Sequence, residues 1–427
     1  MGNLKQFTKS RFPSVVIFKK RGLSLINSVP HFIKLGFFRI TLVIPFILCK
    51  IRQSFKILPQ GRKSMLFILD DERLYRDRDG SGRYAYLIMN SFSESGYNVY
   101  FYKKVSLLRF FTFGIRGRAV YSIKNLKFVT KLPDSSEDMH LAFDSVREDV
   151  LRRKWKKITY VNVLKPVFCR VGEVISIPYF LHASMYQYNV ISSLEECREN
   201  QRKMRIFFGG NTLKSGYDFQ SIKKIYNQSN RHEALNAVLG AGDKRIKTVE
   251  NKERFYKLLN GDNYINEFYI YQTDKLPPIG NKDWLNIVSK SDFFLCFSGT
   301  DLPMCHNAIE SLAVGTIPII SYPDWFFPPL EHRKNAILYL GKEDLISKIN
   351  EVFEMSSDEI EAMRKNAIEY YENNLSRASF MNRFEASTAK VNTIMLHPRL
   401  VCSERENDEG TRLLKTMETH LKDYIVE

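Results

Sequence analysis

Apolar and polar positions alternate along most of the chain in a pattern that predicts short strands, several of them separated by helices. From residue 64 onward, short runs rich in β-branched and aromatic residues recur. In the first half these runs are SMLFILD (64–70), YNVYFY (97–102), LKFVTK (126–131), MHLAFDS (139–145), ITYVNV (158–163) and VISIPYF (174–180). Such alternation is typical of a mostly parallel sheet with helices on both faces.

A second set of strands begins at MRIFFGG (204–210) and continues with EFYIY, DFFLCF and TIPIIS. A chain of 427 residues is too long for one core. We therefore predict an α/β fold with two Rossmann-like domains that face a central cleft. The predicted division is a basic, apolar segment (1–63), an N-terminal domain (64–200), a C-terminal domain (201–375), and C-terminal helices (376–427) with the option of crossing back to the N-terminal domain.

The first 63 residues differ from the rest because they contain the apolar run LGFFRITLVIPFILCKI. Residues 35–49 would form a helix of about 22 Å, shorter than the roughly 30 Å hydrocarbon core of a bilayer. Lys and Arg on both sides favour a segment that lies on an anionic membrane surface, at the cytoplasmic face. A buried helix of the first domain and a Golgi type II signal-anchor are the alternatives.

The formal charge of +17 would suit nucleic acid if it were spread over the whole chain. Residues 1–63 hold 13 Lys or Arg and no Asp or Glu, so the remainder has 51 basic against 47 acidic residues. The body is nearly neutral and lacks zinc-finger spacing and an RNA-binding signature, so we expect no nucleic-acid partner. The six cysteines form no CxxC pair, which indicates reduced thiols. Cys296 and Cys305 are predicted to be core residues.

Three features of the first domain are candidates for chemistry. Gly80, Gly82 and Arg83 lie between a strand and a helix, where backbone N–H groups can hold an anion or a hydroxyl-rich ligand; the alternative is a tight turn that needs glycine. His182 follows an apolar strand and is a candidate base, or a structural histidine. Asp70 or Asp71, at the end of the first strand, is the other candidate base.

The start of the second domain repeats the order of strand, glycine-containing loop and helix. Gly209 and Gly210, followed by Asn211, would let a ligand approach the backbone, and Lys214 or Arg205 would neutralise phosphate charge. The spacing is not that of a P-loop.

The stretch SGTDLPMCHNAIESLAVGTIPII (298–320) predicts a turn, a helix that ends before Gly315, and a strand. On a helical wheel, an apolar face faces the sheet while His306 and Glu310 share its flank. The residues of the apolar face are Cys305, Ile309, Leu312 and Ala313. A flank carboxylate at the strand ends can accept hydrogen bonds from a ribose diol. The alternative is an exposed glutamate with a capping histidine.

These residues carry a resemblance to a known family. The stretch SKSDFFLCFSGTDLPMCHNAIESLAVGTIPIISYPDWFFPPLE, with RIFFGG upstream and SSDEIEAMRKNAIEYY downstream, resembles the second half of exostosin-like glycosyltransferases and, more broadly, the nucleotide-sugar domain of GT-B glycosyltransferases. The resemblance covers about residues 205–371. It implies that Glu310 binds the donor ribose and that the start of its helix, with Ser298, Gly299, His306 and Asn307 nearby, binds the diphosphate.

Two departures from that family change the expected chemistry. His306 stands where exostosin-like sequences usually have arginine, and Leu302 stands eight residues before Glu310 where retaining GT-B enzymes have glutamate. The resemblance therefore favours an inverting transfer.

The expected function is a glycosyltransferase of cell-surface polysaccharide or lipopolysaccharide synthesis. Its donor-binding residues are those of the second domain, and the acceptor, a glycan or lipid-linked molecule, is expected at Gly80, Gly82 and Arg83. His182 or Asp71 is expected to be the catalytic base. A nucleotide-sugar is the co-substrate, with no tightly bound cofactor or metal. A non-catalytic glycan-binding or scaffold protein and a sugar-nucleotide epimerase are the alternatives.

Overall fold

The structure is a computed structural model, and it describes most of the chain between residues 31 and 395. The described ranges are 31–75, 83–113, 115–134, 136–145, 147–162, 172–177, 180–213, 222–223, 228–299 and 303–395. In the first helix, side chains are described from Val43 onward.

The first domain is built on a sheet of seven parallel strands, in the order β3-β2-β1-β4-β5-β13-β6. Its strands are β1 (Ser64–Ile68), β2 (Asn98–Tyr102), β3 (Leu126–Val129), β4 (Met139–Phe143), β5 (Lys157–Asn162), β6 (Glu173–Ser176) and β13 (Val391–Met395). Successive residues of β1 point to opposite faces: Met65 and Phe67 join one apolar cluster, and Leu66 and Ile68 join another. Both faces are covered, which explains why β1 is apolar almost throughout.

The second domain has a sheet of six parallel strands, in the order β12-β11-β10-β7-β9-β8. The strands are β7 (Met204–Gly210), β8 (Ile246–Thr248), β9 (Ile265–Gln272), β10 (Ser291–Cys296), β11 (Ile317–Ile320) and β12 (Ile337–Leu338). Strand β10 is buried along its whole length, with Phe293 and Leu295 on one face and Phe294 and Cys296 on the other. The prediction of two α/β domains with parallel sheets is confirmed.

Helices cover both sheets. They are α1 (His31–Ser54), α2 (Tyr84–Glu94), α3 (Leu107–Thr112), α4 (Ile115–Arg118), α5 (Glu148–Leu151), α6 (Ala183–Gln187), α7 (Leu194–Arg198), α8 (Arg231–Gly240), α9 (Lys252–Asn260), α10 (Trp284–Val288), α11 (His306–Ala313), α12 (Gly341–Glu354), α13 (Ser357–Tyr370) and α14 (Arg377–Ala386). Single-turn 3₁₀ segments lie at Glu72–Leu74, Ala119–Ser122, Val190–Ser193 and Pro323–Trp325, and a π-turn at Tyr371–Leu375 follows α13.

The end of the described chain returns to the first domain. Helix α14 places Phe384 against Phe92 of α2, with ring centroids 4.8 Å apart, and both rings are fully buried. The chain then forms β13, which pairs with β5 on one side and with the edge strand β6 on the other. We predicted C-terminal helices in 376–427 that could cross back to the first domain; α14 is such a helix, whereas residues 391–395 form a strand and residues 396–427 lie outside the described residues. That five-residue segment finds its hydrogen-bond partners only in strands more than 200 positions earlier.

The segment that joins the two domains contacts both cores. Phe180 and Ala183 belong to the main cluster of the first domain, whereas Leu181 and Met185 belong to a cluster of the second. The segment after β6 is thus held between the domains.

Helix α1 lies against the first domain, with Phe46 and Cys49 packed on its core. In the described part of the chain, no helix combines the length and the apolarity that crossing a bilayer requires.

We predict that Phe384→Ala destabilises the first domain by about 3–5 kcal/mol, because it removes a buried ring and leaves a cavity between α14 and α2. Chemical denaturation monitored by circular dichroism measures the change. Phe55→Ala is the matched control: Phe55 is 81% exposed, and its loss should change the free energy of unfolding by no more than about 0.5 kcal/mol. Equal effects of the two substitutions would show that α14 does not stabilise the domain.

Candidate functional site

The candidate site is centred on Glu310, whose carboxylate is fully buried in the middle of α11. Its Oε1 accepts a hydrogen bond from the backbone N–H of His182 at 3.1 Å. Its Oε2 accepts one from the indole Nε1–H of Trp284 at 2.6 Å. A buried carboxylate requires such partners, and these two come from separate elements, the segment before α6 and the start of α10.

Burial raises the pKa of Glu310 to about 7, because a charged carboxylate is disfavoured away from water. The hydrogen bonds from His182 and Trp284, and the positive charge of Arg83, act in the opposite direction but do not cancel the effect. The carboxyl group therefore gains or loses its proton near neutral pH.

His182 caps the short helix α6 and contributes both its backbone and its ring to the site. Its Nδ1 lies 2.7 Å from the hydroxyl of Ser184, the second residue of α6. The His182 ring also lies beside that of His306, the first residue of α11, with centroids 5.3 Å apart. The structure thus brings together a predicted catalytic residue, His182, and two predicted donor-binding residues, His306 and Glu310.

Arg83 joins the same group from the first domain. It precedes α2, it is buried, and its charge lowers the pKa of Glu310. We predicted Arg83 as an acceptor residue together with Gly80 and Gly82; those two glycines lie outside the described residues. An imidazole pair, a carboxylate and a guanidinium consequently meet where the two domains contact each other.

The predicted environment of Glu310 is wrong in one respect. The sequence predicts a Glu310 carboxylate on the flank of α11 that is open to a ribose diol, but the carboxylate has no exposed surface. Ile309 and Leu312, on the predicted apolar face of α11, are buried as expected. Cys296 and Cys305 are also buried, as predicted for core residues. The flank is also covered because α10 and the segment at His182 pack on the side of α11 that the sheet leaves open.

Gly209 and Gly210 are the last residues of β7 and not part of the loop that follows, and Gly209 serves packing. A Cβ on Gly209 would lie 3.0 Å from ring atoms of Trp284, so the indole occupies the space that we expected a ligand to use. Asn211 turns the chain: its Oδ1 accepts from the N–H of Leu213 at 2.9 Å. Lys214 lies outside the described residues.

Arg231, which begins α8, is the cation that the structure places beside this loop. Its Nη1 donates to the carbonyl of Asn211 at 3.1 Å and lies 3.5 Å from the position of a Cβ on Gly210. Its charge also influences Cys296 and Tyr322, which places it near the end of β10. Arg231 is buried.

Ser298 and Gly299 follow β10 at the same edge of the sheet. The Ser298 hydroxyl donates to the carbonyl of Ser229, just before α8, at 3.2 Å. The N–H of Gly299 donates to the carbonyl of Pro303 at 3.1 Å and closes a turn. Asn307 is half-buried in the first turn of α11.

Arg205 is not at this edge. It is the second residue of β7, at the amino end of the strand, where its Nε donates to Asn266 at 2.9 Å and its Nη1 lies 3.8 Å from Asp292. Asp292 also accepts from Arg364 at 2.8 Å. The role of phosphate ligand that we predicted for Arg205 is therefore wrong, because the side chain belongs to a buried ion cluster on the opposite edge.

Asp71, the second predicted base, follows β1 in the first domain. The carboxylate of Asp144, at the end of β4, accepts from the N–H groups of Asp70 and Asp71 at 2.8 and 2.9 Å. Asp144 is buried and holds the strand end in place, while Asp70 lies 3.7 Å from Lys103. Within the described ranges, His, Cys, Asp and Glu side chains form no group of three or more placed to hold a metal ion.

Sequence reasoning missed Trp284, Arg231 and Asp144. Asp144 had a usable signal, since a carboxylate directly after a predicted buried strand lies at the edge where α/β sheets bind ligands. Trp284 and Arg231 had none, because each reaches the site from an element whose position depends on how the helices pack.

No protein family and no curated protein matches the sequence. Among solved structures, the chain is similar to the N-terminal domain of Candida albicans trehalose-6-phosphate phosphatase, with 8% identity, a TM-score of 0.39, and coverage of 78% of this chain and 98% of that one. It is also similar to Anabaena HepE in complex with UDP, with 11% identity, a TM-score of 0.40, and coverage of 75% and 98%.

A glycosyltransferase from Rickettsia africae gives 10% identity, a TM-score of 0.38, and coverage of 76% and 97%. The two parallel sheets of this chain and the contacts of Glu310 define its fold and candidate site.

We predict that Glu310 makes stability pH-dependent. The folded-state pKa of about 7 exceeds the unfolded value near 4.5, so the folded state holds the proton more tightly. Its contribution is therefore present at acidic pH and lost as pH rises from about 4.5 to 7, by on the order of 3 kcal/mol. The free energy of unfolding is measured for the parent and for Glu310→Gln at pH 5 and pH 8. The value for the parent minus the value for the variant should be larger at pH 5 than at pH 8. The exposed control Glu331→Gln should keep a constant difference; a constant difference for Glu310→Gln would contradict the assignment.

We also predict that Trp284→Phe destabilises the protein by about 1.5–3 kcal/mol at pH 8, because it keeps an aromatic ring but removes the hydrogen bond to a charged Oε2. Thermal or urea denaturation provides the measurement. Trp325→Phe, at a half-buried position in the 3₁₀ segment Pro323–Trp325 away from Glu310, is the control and should have a smaller effect. If the two variants lose the same stability, the indole hydrogen bond does not hold Glu310.

Proposed function

We propose that this protein is a GT-B glycosyltransferase that transfers a sugar from a nucleotide-sugar to a glycan or lipid-linked acceptor, with inversion at the anomeric carbon. The observation that carries the proposal is the meeting of His182, His306, Glu310 and Arg83 at the contact between two parallel-sheet domains. Ligands of such sheets bind at the carboxyl ends of the strands, and three of these residues follow strand ends directly or begin the next helix.

The donor is proposed to bind along the carboxyl edge of the second sheet. Arg231 and the first N–H groups of α11 are suited to a diphosphate, because a guanidinium and a helix start both favour negative charge. Lys214, four residues beyond Gly210, is proposed to add a second cation. Gly210, Asn211, Ser298, Gly299 and Asn307 form the surrounding backbone.

Transfer requires a base and a stabilised leaving group. In the proposed step the acceptor hydroxyl oxygen attacks the anomeric carbon, the bond from that carbon to the diphosphate oxygen breaks, and the diphosphate keeps the electron pair. His182 is proposed to take the hydroxyl proton on Nε2. This requires the tautomer in which Nδ1–H donates to the Ser184 hydroxyl at 2.7 Å, in place of accepting from the Ser184 backbone N–H at 3.3 Å. Asp71 is the second candidate base, on the acceptor side.

Glu310 is proposed to have a positioning role in addition to the predicted ribose contact. Its Oε1 holds the backbone of His182, so the candidate base is fixed relative to the donor-binding helix. A carboxylate has about four lone-pair sites, and the two hydrogen bonds occupy two of them. The proposed ribose contact would use the remaining two, and the His182 N–H would stay bound to Oε1.

The test is a thermal-shift panel of the full chain with UDP, GDP and CMP and their sugar conjugates. A nucleotide that binds only the folded state raises the melting temperature, by about 2.7 kcal/mol in free energy at a hundredfold excess over Kd. We expect one diphosphate nucleotide to stabilise the protein, and its sugar conjugate to be turned over with a lipid-linked acceptor. Stabilisation without turnover of any conjugate would support the non-catalytic alternative, and no stabilisation by any nucleotide would contradict the proposal.

For the diphosphate nucleotide that binds, His306→Asn should lower the affinity about tenfold or more, since it removes the imidazole at the proposed diphosphate site. His332→Asn is the matched control, because that ring lies near Glu351 and Lys348 of α12. Isothermal titration of both variants gives the comparison. Equal affinities of the two variants would remove His306 from the donor site.

A further inference from the structure

Helix α1 and the residues after it expose an apolar strip that we call the outer face. Its members repeat at spacings of three and four residues, which places them on one side of a helix. The outer face consists of Ile44, Ile47, Leu48, Ile51 and Phe55. All five are between 46% and 81% exposed, and Ile57 beyond the helix is 92% exposed.

The opposite side of the helix is the one that holds it to the protein. The ring of Phe46 packs edge-on against Phe110 at 5.7 Å. Gln53 is buried and its Oε1 accepts from the N–H of Phe128 at 3.3 Å, and Lys56 donates to the carbonyl of Ile123 at 2.8 Å. The helix is thus attached in a defined orientation, and its outer face points away from the domain.

Unlike an ordinary surface helix, α1 is apolar on both sides, because Phe46 and Cys49 pack on the domain while the outer face is exposed. A globular domain buries the apolar stripe of a helix and exposes its polar side. Here polar Gln53 and Lys56 face the protein, while five large apolar side chains face outward. The neighbouring helix α3, which packs on α1, adds exposed Leu107 and Leu108. An exposed apolar surface of this kind marks an interaction site.

Charge identifies the partner. Lys50 and Arg52 are exposed on the helix beside the outer face, and residues 1–63 contain no Asp or Glu. Apolar side chains flanked by basic ones match a bilayer surface, where the apolar groups enter the acyl boundary and the cations remain at anionic headgroups. The strip between Ile44 and Phe55 is about 16 Å long, enough for a helix lying flat on a membrane.

We propose that the outer face docks the protein on an anionic lipid bilayer, with α1 parallel to the membrane. Because α1 is attached to the first domain by Phe46, Gln53 and Lys56, docking also sets the orientation of that domain relative to the lipid surface. The proposal is independent of the nucleotide site and of the chemistry proposed for it.

The first experiment is co-sedimentation of the full chain with vesicles of phosphatidylserine and phosphatidylcholine. Leu48→Ser/Ile51→Ser removes two apolar side chains from the outer face, and we expect the partition coefficient to fall at least about tenfold. The matched control is Leu239→Ser/Leu340→Ser, which removes two apolar side chains that are 42% and 79% exposed in the second domain. This control should bind vesicles as the parent does.

The second experiment separates the charge contribution. Lys50→Glu/Arg52→Glu should lower binding to phosphatidylserine vesicles about tenfold or more, and the loss should diminish at high salt. Lys275→Glu/Lys342→Glu makes the same change in net charge at exposed positions of the second domain and should have little effect. Nucleotide-induced thermal shifts should be the same in all four variants, so that a defect in membrane docking is distinguished from a defect in donor binding.

Two results would overturn the proposal. One is vesicle binding equal to that of the parent in both Leu48→Ser/Ile51→Ser and Lys50→Glu/Arg52→Glu. The other is a change in oligomeric state, measured by analytical ultracentrifugation without lipid, in the Leu48→Ser/Ile51→Ser variant alone, which would identify the outer face as a contact between copies of this chain.

Discussion

The arrangement of the candidate site depends on one buried carboxylate. Glu310 has no exposed surface, and a carboxylate in that position needs hydrogen-bond donors. The donors available are the indole of Trp284 and the backbone N–H of His182, so the carboxylate holds α10, α11 and the segment after β6 in one place. The same contacts bring His182 beside His306 and keep the carboxyl pKa near neutrality against the effect of burial.

A second connection between the domains comes from the end of the described chain. Helix α14 and strand β13 belong to the first domain although the whole second domain precedes them. Phe380 and Phe384 fill the core beside α2, the helix that begins next to Arg83. The chain therefore passes between the domains twice, once near His182 and once near α14, and the site lies beside the first crossing.

Much of the fold could be predicted from local pattern. Strands such as β1 and β10 are apolar along most of their length because both faces of each sheet are covered, and a run of five or six such residues is recognisable without tertiary information. Strand β13 was not recognisable, because VNTIM becomes a strand only through pairing with β5 and β6. For the site, His182, His306 and Glu310 could be chosen because each lies at a strand end or on the helix that follows one.

Three properties can be predicted from the chain alone: two parallel α/β domains, a buried apolar face of α11, and a basic segment of 63 residues that contains no Asp or Glu. These properties depend on periodicity and composition, which are local. Packing is what buries Glu310 and places Trp284 in the space beside Gly209. It also puts Arg205 at the amino edge of the second sheet and Arg231 near the carboxyl edge, and it leaves the outer face exposed. Each of these features depends on which other elements pack against the polar side of a helix or strand. Those neighbours are distant in sequence, and they decide whether a polar group is buried and hydrogen-bonded.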